Sequence, residues 1–105
     1  AAGRRSSAAT NQTFDLTVRE VDVFDLATST WSTLPSTAHI PTPRAGAGAA
    51  VLNGRLIVLG GESGVQPVAH DQVEELDPAT NTWRALKPLA MGRHATQAVL
   101  HDGRI

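Results

Sequence analysis

Neither cysteine nor tyrosine occurs in this chain of 105 residues, and aromatic residues of any kind make up only 4% of it. The missing cysteine excludes a disulfide framework, a thiolate metal site and a thiol nucleophile, but it selects no cellular compartment. Charge of one sign is also missing. The net charge of −1 offers no electrostatic basis for binding nucleic acid or an anionic membrane. No run reaches the roughly 18 apolar residues of a membrane span. The N-terminal stretch lacks the apolar segment of a signal peptide, so any such signal is expected to have been removed or to lie outside these residues. At 41% hydrophobic and 18% charged, the composition is that of a chain able to bury apolar surface and is unlike a disordered type.

What is present is organised around residues 43–88. The run Pro43-Arg44-Ala45-Gly46-Ala47-Gly48-Ala49-Ala50-Val51-Leu52 meets Asn53-Gly54, and Arg55-Leu56-Ile57-Val58-Leu59 then leads to the doublet Gly60-Gly61. Two apolar runs joined by Asn-Gly predict a hairpin, because a type I′ turn needs positive φ at both central residues. A polar loop follows, then Val73-Glu74-Glu75-Leu76-Asp77-Pro78, a turn, and Trp83-Arg84-Ala85-Leu86. The unit reads as a four-stranded antiparallel meander.

The flanks are partial copies of this unit. Displaced by 49 positions, Arg93 to Ile105 falls over Arg44 to Leu56, aligning the arginines, an alanine, the turn glycine and the arginine after it. Displaced by 52, Val21 to Leu34 falls over Val73 to Leu86, aligning Trp31 with Trp83 and Asp22 with Glu74. A period near fifty with four strands per unit predicts a propeller blade.

These residues resemble the kelch repeat, whose fingerprint is an apolar run, a Gly-Gly doublet, and a Tyr and a Trp separated by six residues. The doublet is Gly60-Gly61 and the tryptophan Trp83; Leu76, and Phe24 in the earlier copy, stand at the tyrosine position, while Ala1-Ala2-Gly3 is a remnant of an earlier doublet. The resemblance implies an all-β fold of about two blades' worth of a kelch-type propeller. Residues 1–42 would be an incomplete blade, 43–88 a complete one, and 89–105 the opening strand and start of the second strand of a third.

Taken in order, residues 3–13 are polar and without periodicity, hence loop. Within them lie Arg4-Arg5 and the glycosylation-type triplet Asn11-Gln12-Thr13, each with a plainer reading as solvated loop. From Phe14 the apolar alternation passes through Leu16 and Val18 and changes phase at Val21 and Val23, which predicts a bulge or bend. Pro35 to Pro43 is a connector between blades. Gly46 to Ala50, nearly all Gly and Ala, suits an innermost strand near the propeller axis, where blades converge. Trp31 and Trp83 are expected to be buried at equivalent sites on outer strands, filling the space where blades splay apart.

The chemical motifs are weak. Gly46-Ala47-Gly48 fails as a dinucleotide loop because Val51 holds the third glycine position and no helix follows. Gly61-Glu62-Ser63-Gly64-Val65 fails as a nucleophile elbow at its last glycine. The pairs His70-Asp71 and His101-Asp102 are adjacent, so on a strand their side chains point to opposite faces. His39, His70, His94 and His101 show no metal-ligand spacing, and no metal or cofactor is expected.

The kelch resemblance implies two kinds of function. One is a rigid scaffold for proteins, such as the substrate adaptors of ubiquitin ligases, in which arginines opening the innermost strands engage acidic peptides. The positions matching that motif are Arg44 and Arg93, with the loop 62–72 on the same rim. The alternative role for each arginine is to tie strands together through carbonyl oxygens, which a five-donor guanidinium does equally well. The other function is a secreted carbohydrate-active enzyme of the oxidase or epimerase type. The oxidases need Tyr and Cys, which this chain lacks. The sequence therefore favours a scaffold for a protein or acidic peptide, with Arg44 and Arg93 as ligand-binding residues and no catalytic residue.

A propeller closes with about four to eight blades. The remaining blades are expected from a longer chain or, as the lesser alternative, from self-assembly. An isolated pair of blades leaves apolar faces and strand edges uncovered. Residues 1–105 alone are therefore expected to associate, giving a polydisperse profile in size exclusion with light scattering. A sharp monomer peak with cooperative unfolding would contradict this architecture.

Overall fold

The computed structural model describes residues 1–4, 16–66 and 68–105; the triplet Asn11-Gln12-Thr13, Arg5 and Phe14 lie outside the described residues. Strands β1 (Asp22–Asp25) and β2 (Thr30–Thr33) form one antiparallel pair, followed by a short 3-10 turn at Ser36–Ala38. Strands β3 (Gly48–Leu52), β4 (Arg55–Leu59), β5 (Val73–Asp77) and β6 (Thr82–Ala85) form a second sheet in the order β3-β4-β5-β6. Asn53 and Gly54 take φ of 52° and 74°, the two left-handed residues a type I′ turn requires. That turn sets Leu52 opposite Arg55 and Gly48 opposite Leu59. The all-β, four-stranded antiparallel unit expected from the sequence is the architecture found.

The repeats recur as matching hydrogen bonds. Leu34 N–H donates to Val21 O at 2.9 Å, and Leu86 N–H to Val73 O at 2.8 Å. Ile40 N–H donates to Arg19 O as Leu89 N–H does to Asp71 O, both at 2.9 Å. In the turns, Asp25 Oδ1 accepts from Ala27 N–H and Asp77 Oδ1 from Ala79 N–H, while the Oγ1 atoms of Thr28 and Thr30, and of Thr80 and Thr82, lie 2.7 Å apart. Ser29 and Asn81 share a φ near 55°. Short polar side chains that bond their own backbone fix such turns.

Two elements differ from the sequence reading. The phase change near Val21 marks where the chain enters β1, which begins at Asp22; upstream, Thr17 makes only an isolated bridge to Arg4. In residues 89–105 no ladder forms. His101 and Arg104 bridge around Asp102-Gly103, whose φ values of 47° and 70° repeat the Asn53-Gly54 turn.

Alternation gives the four-stranded sheet two faces. One carries Val58, Glu74, Leu76 and Trp83; the other carries Ile57, Val73, Glu75 and Arg84. The most buried apolar residues are Val58, Ile57 and Leu76 in the sheet, with Ala38 and Ile40 from the connector, Ala45 just after it, and Val21 ahead of β1. The connector is thus part of the core. On the second face a Cβ at Gly48 would lie 3.1 Å from Ala98 N, so the small residues of β3 admit the backbone of the next unit.

The tryptophans are not equally buried, contrary to expectation. Trp83 is half-buried and donates its indole Nε1–H to Ala38 O at 2.8 Å, seating the 3-10 turn of the preceding connector. Trp31 is 71% exposed, with Phe24 as its ring neighbour at 5.0 Å. No described residue stands to Trp31 as Ala38 stands to Trp83. Trp83→Ala is accordingly expected to destabilise by about 2 kcal/mol, and Trp31→Ala by under about 0.5 kcal/mol within these residues, as read from denaturant midpoints.

On the second face a charge ladder crosses three strands. Arg84 Nε lies 2.7 Å from Glu75 Oε1, and Arg55 reaches Glu75 Oε1 at 3.1 Å and Asp77 Oδ2 at 3.0 Å. The hydrogen bond from Arg84, more than that from Arg55, holds the Glu75 carboxyl below its usual range against the opposing effect of burial. A carboxyl depressed on folding stabilises above its unfolded pKa of about 4.3, and that contribution disappears as pH falls through the folded value. The urea midpoint is expected to fall as pH drops from about 5 towards 3. In Glu75→Gln the decline should be shallower but not flat, because backbone N–H groups of Thr28 and Ala27 depress Asp25 as well.

Candidate functional site

The end of the sheet where β4 stops and β5 starts carries the loop 60–72, together with the connectors entering and leaving the unit. Gly60 and Gly61 take φ of 65° and 105°. Gly61 N–H donates to Arg93 O at 2.6 Å, Gly60 N–H to Gln72 O at 3.1 Å, and Arg93 N–H to His70 O at 3.1 Å. A Cβ at Gly60 would collide with Arg93 O, and one at Gly61 would sit 2.8 Å from Ala45 O. Glycine allows this approach without displacing the backbone it meets. The doublet is therefore the seam at which the next unit's first residues close against this one. Gly3 N–H repeats the contact one unit earlier, donating to Arg44 O at 2.8 Å.

Both predicted site arginines lie at this seam, in different environments. Arg44 is completely buried: Nη1 is 3.0 Å from Glu74 Oε2, and Nη2 donates to Val58 O at 3.1 Å. Thr42 Oγ1 donates to Glu74 Oε1 at 2.7 Å, completing a network that joins the connector to β4 and β5. Burial pulls the guanidinium below its ordinary pKa, and Glu74 partly restores it. An arginine so placed has no surface for a ligand, and the strand-tying alternative describes Arg44. Arg93, in the equivalent position of the next unit, is exposed and its side chain is unpaired among the described residues.

Around the seam the rim carries a second set of polar groups. Glu62 Oε1 is 3.3 Å from Arg4 Nη1, and Glu62 Oε2 is 3.5 Å from His94 Nδ1. One carboxylate thus spans groups from the preceding and following units. Glu62, Ser63, Gly64, Gln66 and His94 line a cleft of about 290 Å³. Beneath it His70 is 1% exposed; its Nε2 lies 2.9 Å from Ser63 Oγ and its Nδ1 3.0 Å from Gln72 Oε1. Gln72 Nε2 in turn donates to Gln66 Oε1 at 3.4 Å.

The pair His70-Asp71 divides as adjacent residues on a strand do: His70 is buried and Asp71 exposed. His101 and Asp102 approach to 3.3 Å on open surface, each side chain 86% exposed. Sequence reasoning missed Glu74, Ser63 and Gln72, because nothing in a linear pattern marks which polar residue a fold will bury. The copy Asp22 under Glu74 was the available signal, an acidic residue kept at the same place in both copies, each preceded by a valine.

A family model described as the Kelch motif matches residues 43–90. Among solved structures, that of YjhT superposes with a TM-score of 0.61 at 29% sequence identity, over 70% of this chain. The chain spans 22% of the length of that protein.

The buried network generates a direct test. Arg44→Ala should lower the unfolding free energy by about 3–5 kcal/mol, because it strands the Glu74 carboxylate in the interior. Replacing both residues together by apolar ones of similar size should cost less than Arg44→Ala alone. Chemical denaturation of the intact protein reads both.

Proposed function

Because this chain belongs to the kelch-repeat family and forms a segment of a propeller, we propose that it is a binding scaffold whose ligand-facing surface is the rim bearing loop 62–72 and residue 93. The observation that carries this reading is the unequal treatment of charge at the rim. Glu62 is shared between Arg4 and His94, Arg44 is spent on Glu74, and Arg93, where the next unit opens, is exposed with no side-chain partner among the described residues. A guanidinium held on a rigid sheet offers a carboxylate two parallel donors. The favoured partner is an acidic protein segment, and the cleft beside His94 gives it polar contacts along its backbone.

Fluorescence anisotropy with a labelled peptide of alternating Glu and Gly tests the proposal in the intact protein. Binding should weaken several-fold between about 0.05 and 0.5 M salt. Arg93→Ala should weaken it about tenfold while the melting temperature holds. Unchanged affinity in Arg93→Ala would overturn the assignment. So would a large loss of stability, since it would give Arg93 the same internal role as Arg44.

A further inference from the structure

The hydrogen-bond chain beneath the cleft has a direction, and the direction constrains what the cleft can receive. Gln72 commits its amide nitrogen to Gln66 Oε1, so the atom it presents to His70 Nδ1 is its carbonyl oxygen, 3.0 Å away. An amide oxygen only accepts, so the ring carries its proton on Nδ1. In the neutral ring Nε2 is then an acceptor, and the hydroxyl 2.9 Å from it, Ser63 Oγ, must donate its single proton there. What remains on Ser63 is acceptor capacity alone. His70 is itself nearly inaccessible at 1% exposure and touches no ligand. Ser63 lines the cleft together with Glu62 and Gln66.

We infer that His70 is a positioning residue for the rim, fixing Ser63 as a hydrogen-bond acceptor so that the cleft receives a ligand bearing an N–H donor, the backbone amide of an extended peptide. This rests on the scaffold reading and narrows it from an acidic partner to one whose main chain donates into the cleft. Glu62 adds to the same preference. Its carboxylate accepts hydrogen bonds and donates none, so two neighbouring wall residues both ask for donors. A ligand that presented only carboxylate or ether oxygens would meet acceptors at Ser63 and Glu62, and would find side-chain donors at Arg93 and at the Gln66 amide, whose oxygen is committed to Gln72.

Two measurements test this, and they fail separately. Long-range ¹⁵N–¹H correlation spectra of the intact protein report the ring tautomer without any ligand. The expected result for His70 is a protonated Nδ1 and an unprotonated Nε2. The opposite tautomer would make Ser63 a donor towards the cleft and overturn the inference. The second measurement compares the Glu-Gly peptide with its counterpart in which every glycine is N-methylated. Wild type should prefer the unmethylated peptide about fivefold, the effect of one hydrogen bond; Ser63→Ala should abolish that preference, and His70→Ala, which frees the hydroxyl to donate as well as accept, should reduce it. Equal affinity of wild type for both peptides would overturn the inference even where binding itself is strong. Failure of both peptides to bind would overturn the acidic-peptide reading and with it the peptide ligand argued here.

Discussion

Successive units meet through one short hydrogen bond with no space around it. Gly61 donates to the carbonyl of Arg93 at 2.6 Å, and the preceding Gly60 has no room for a methyl group beside that same oxygen. Position 93 opens the next unit, so this bond sets where the innermost strand starts and how closely it approaches. The consequences run outward. Ala95 N–H reaches Gly46 O at 2.8 Å, the Ala98 backbone lies against Gly48, and the loop 62–72 is folded over the seam by bonds from Gly60 to Gln72 and from His70 to Gly61. The rim cleft exists because that loop is pinned at both ends.

Both arginines give their carbonyl to a seam glycine, and Arg44 is internal because Val58 O and Glu74 lie where its side chain reaches. A buried guanidinium costs desolvation and is tolerated only where carbonyl and carboxylate oxygens compensate it. Glu62, at the rim, faces the opposite balance: open to water, its pairing with Arg4 and His94 contributes little to stability.

Much of the fold was legible in the sequence because it is written in residues with narrow backbone preferences. Asn53-Gly54 specifies a turn, the Gly-Ala run specifies close approach, and two displaced copies specify a repeating unit; all three are local. The site was less legible. Arg44 and Arg93 align in sequence, but that alignment did not reveal that Glu74 on the third strand would bury Arg44. The role of Ser63 depends on His70 and Gln72, seven and nine residues away, and on which way a single amide faces. Trp31 and Trp83 share a position in the repeat but not an environment, because a tryptophan is buried only by what sits on it. The connector residues Ala38 and Ile40 look like loop in a sequence containing so many prolines, and they are core.

The central claim is that close approach at the seam, beyond backbone conformation, requires the glycine doublet. Gly54 and Gly60 share a positive φ, 74° and 65°, so alanine is strained to a similar degree at both. They differ in surroundings: nothing lies within 4 Å of a Cβ at Gly54, whereas one at Gly60 meets Arg93 O. Ala2, which holds the equivalent place one unit earlier at a φ of 63°, goes with a longer seam bond of 2.8 Å. The most direct measurement is therefore the unfolding free energy of Gly60→Ala beside Gly54→Ala in the intact protein. The account predicts that Gly60→Ala costs about 1–3 kcal/mol more than Gly54→Ala, the overpacking range; equal losses would contradict it.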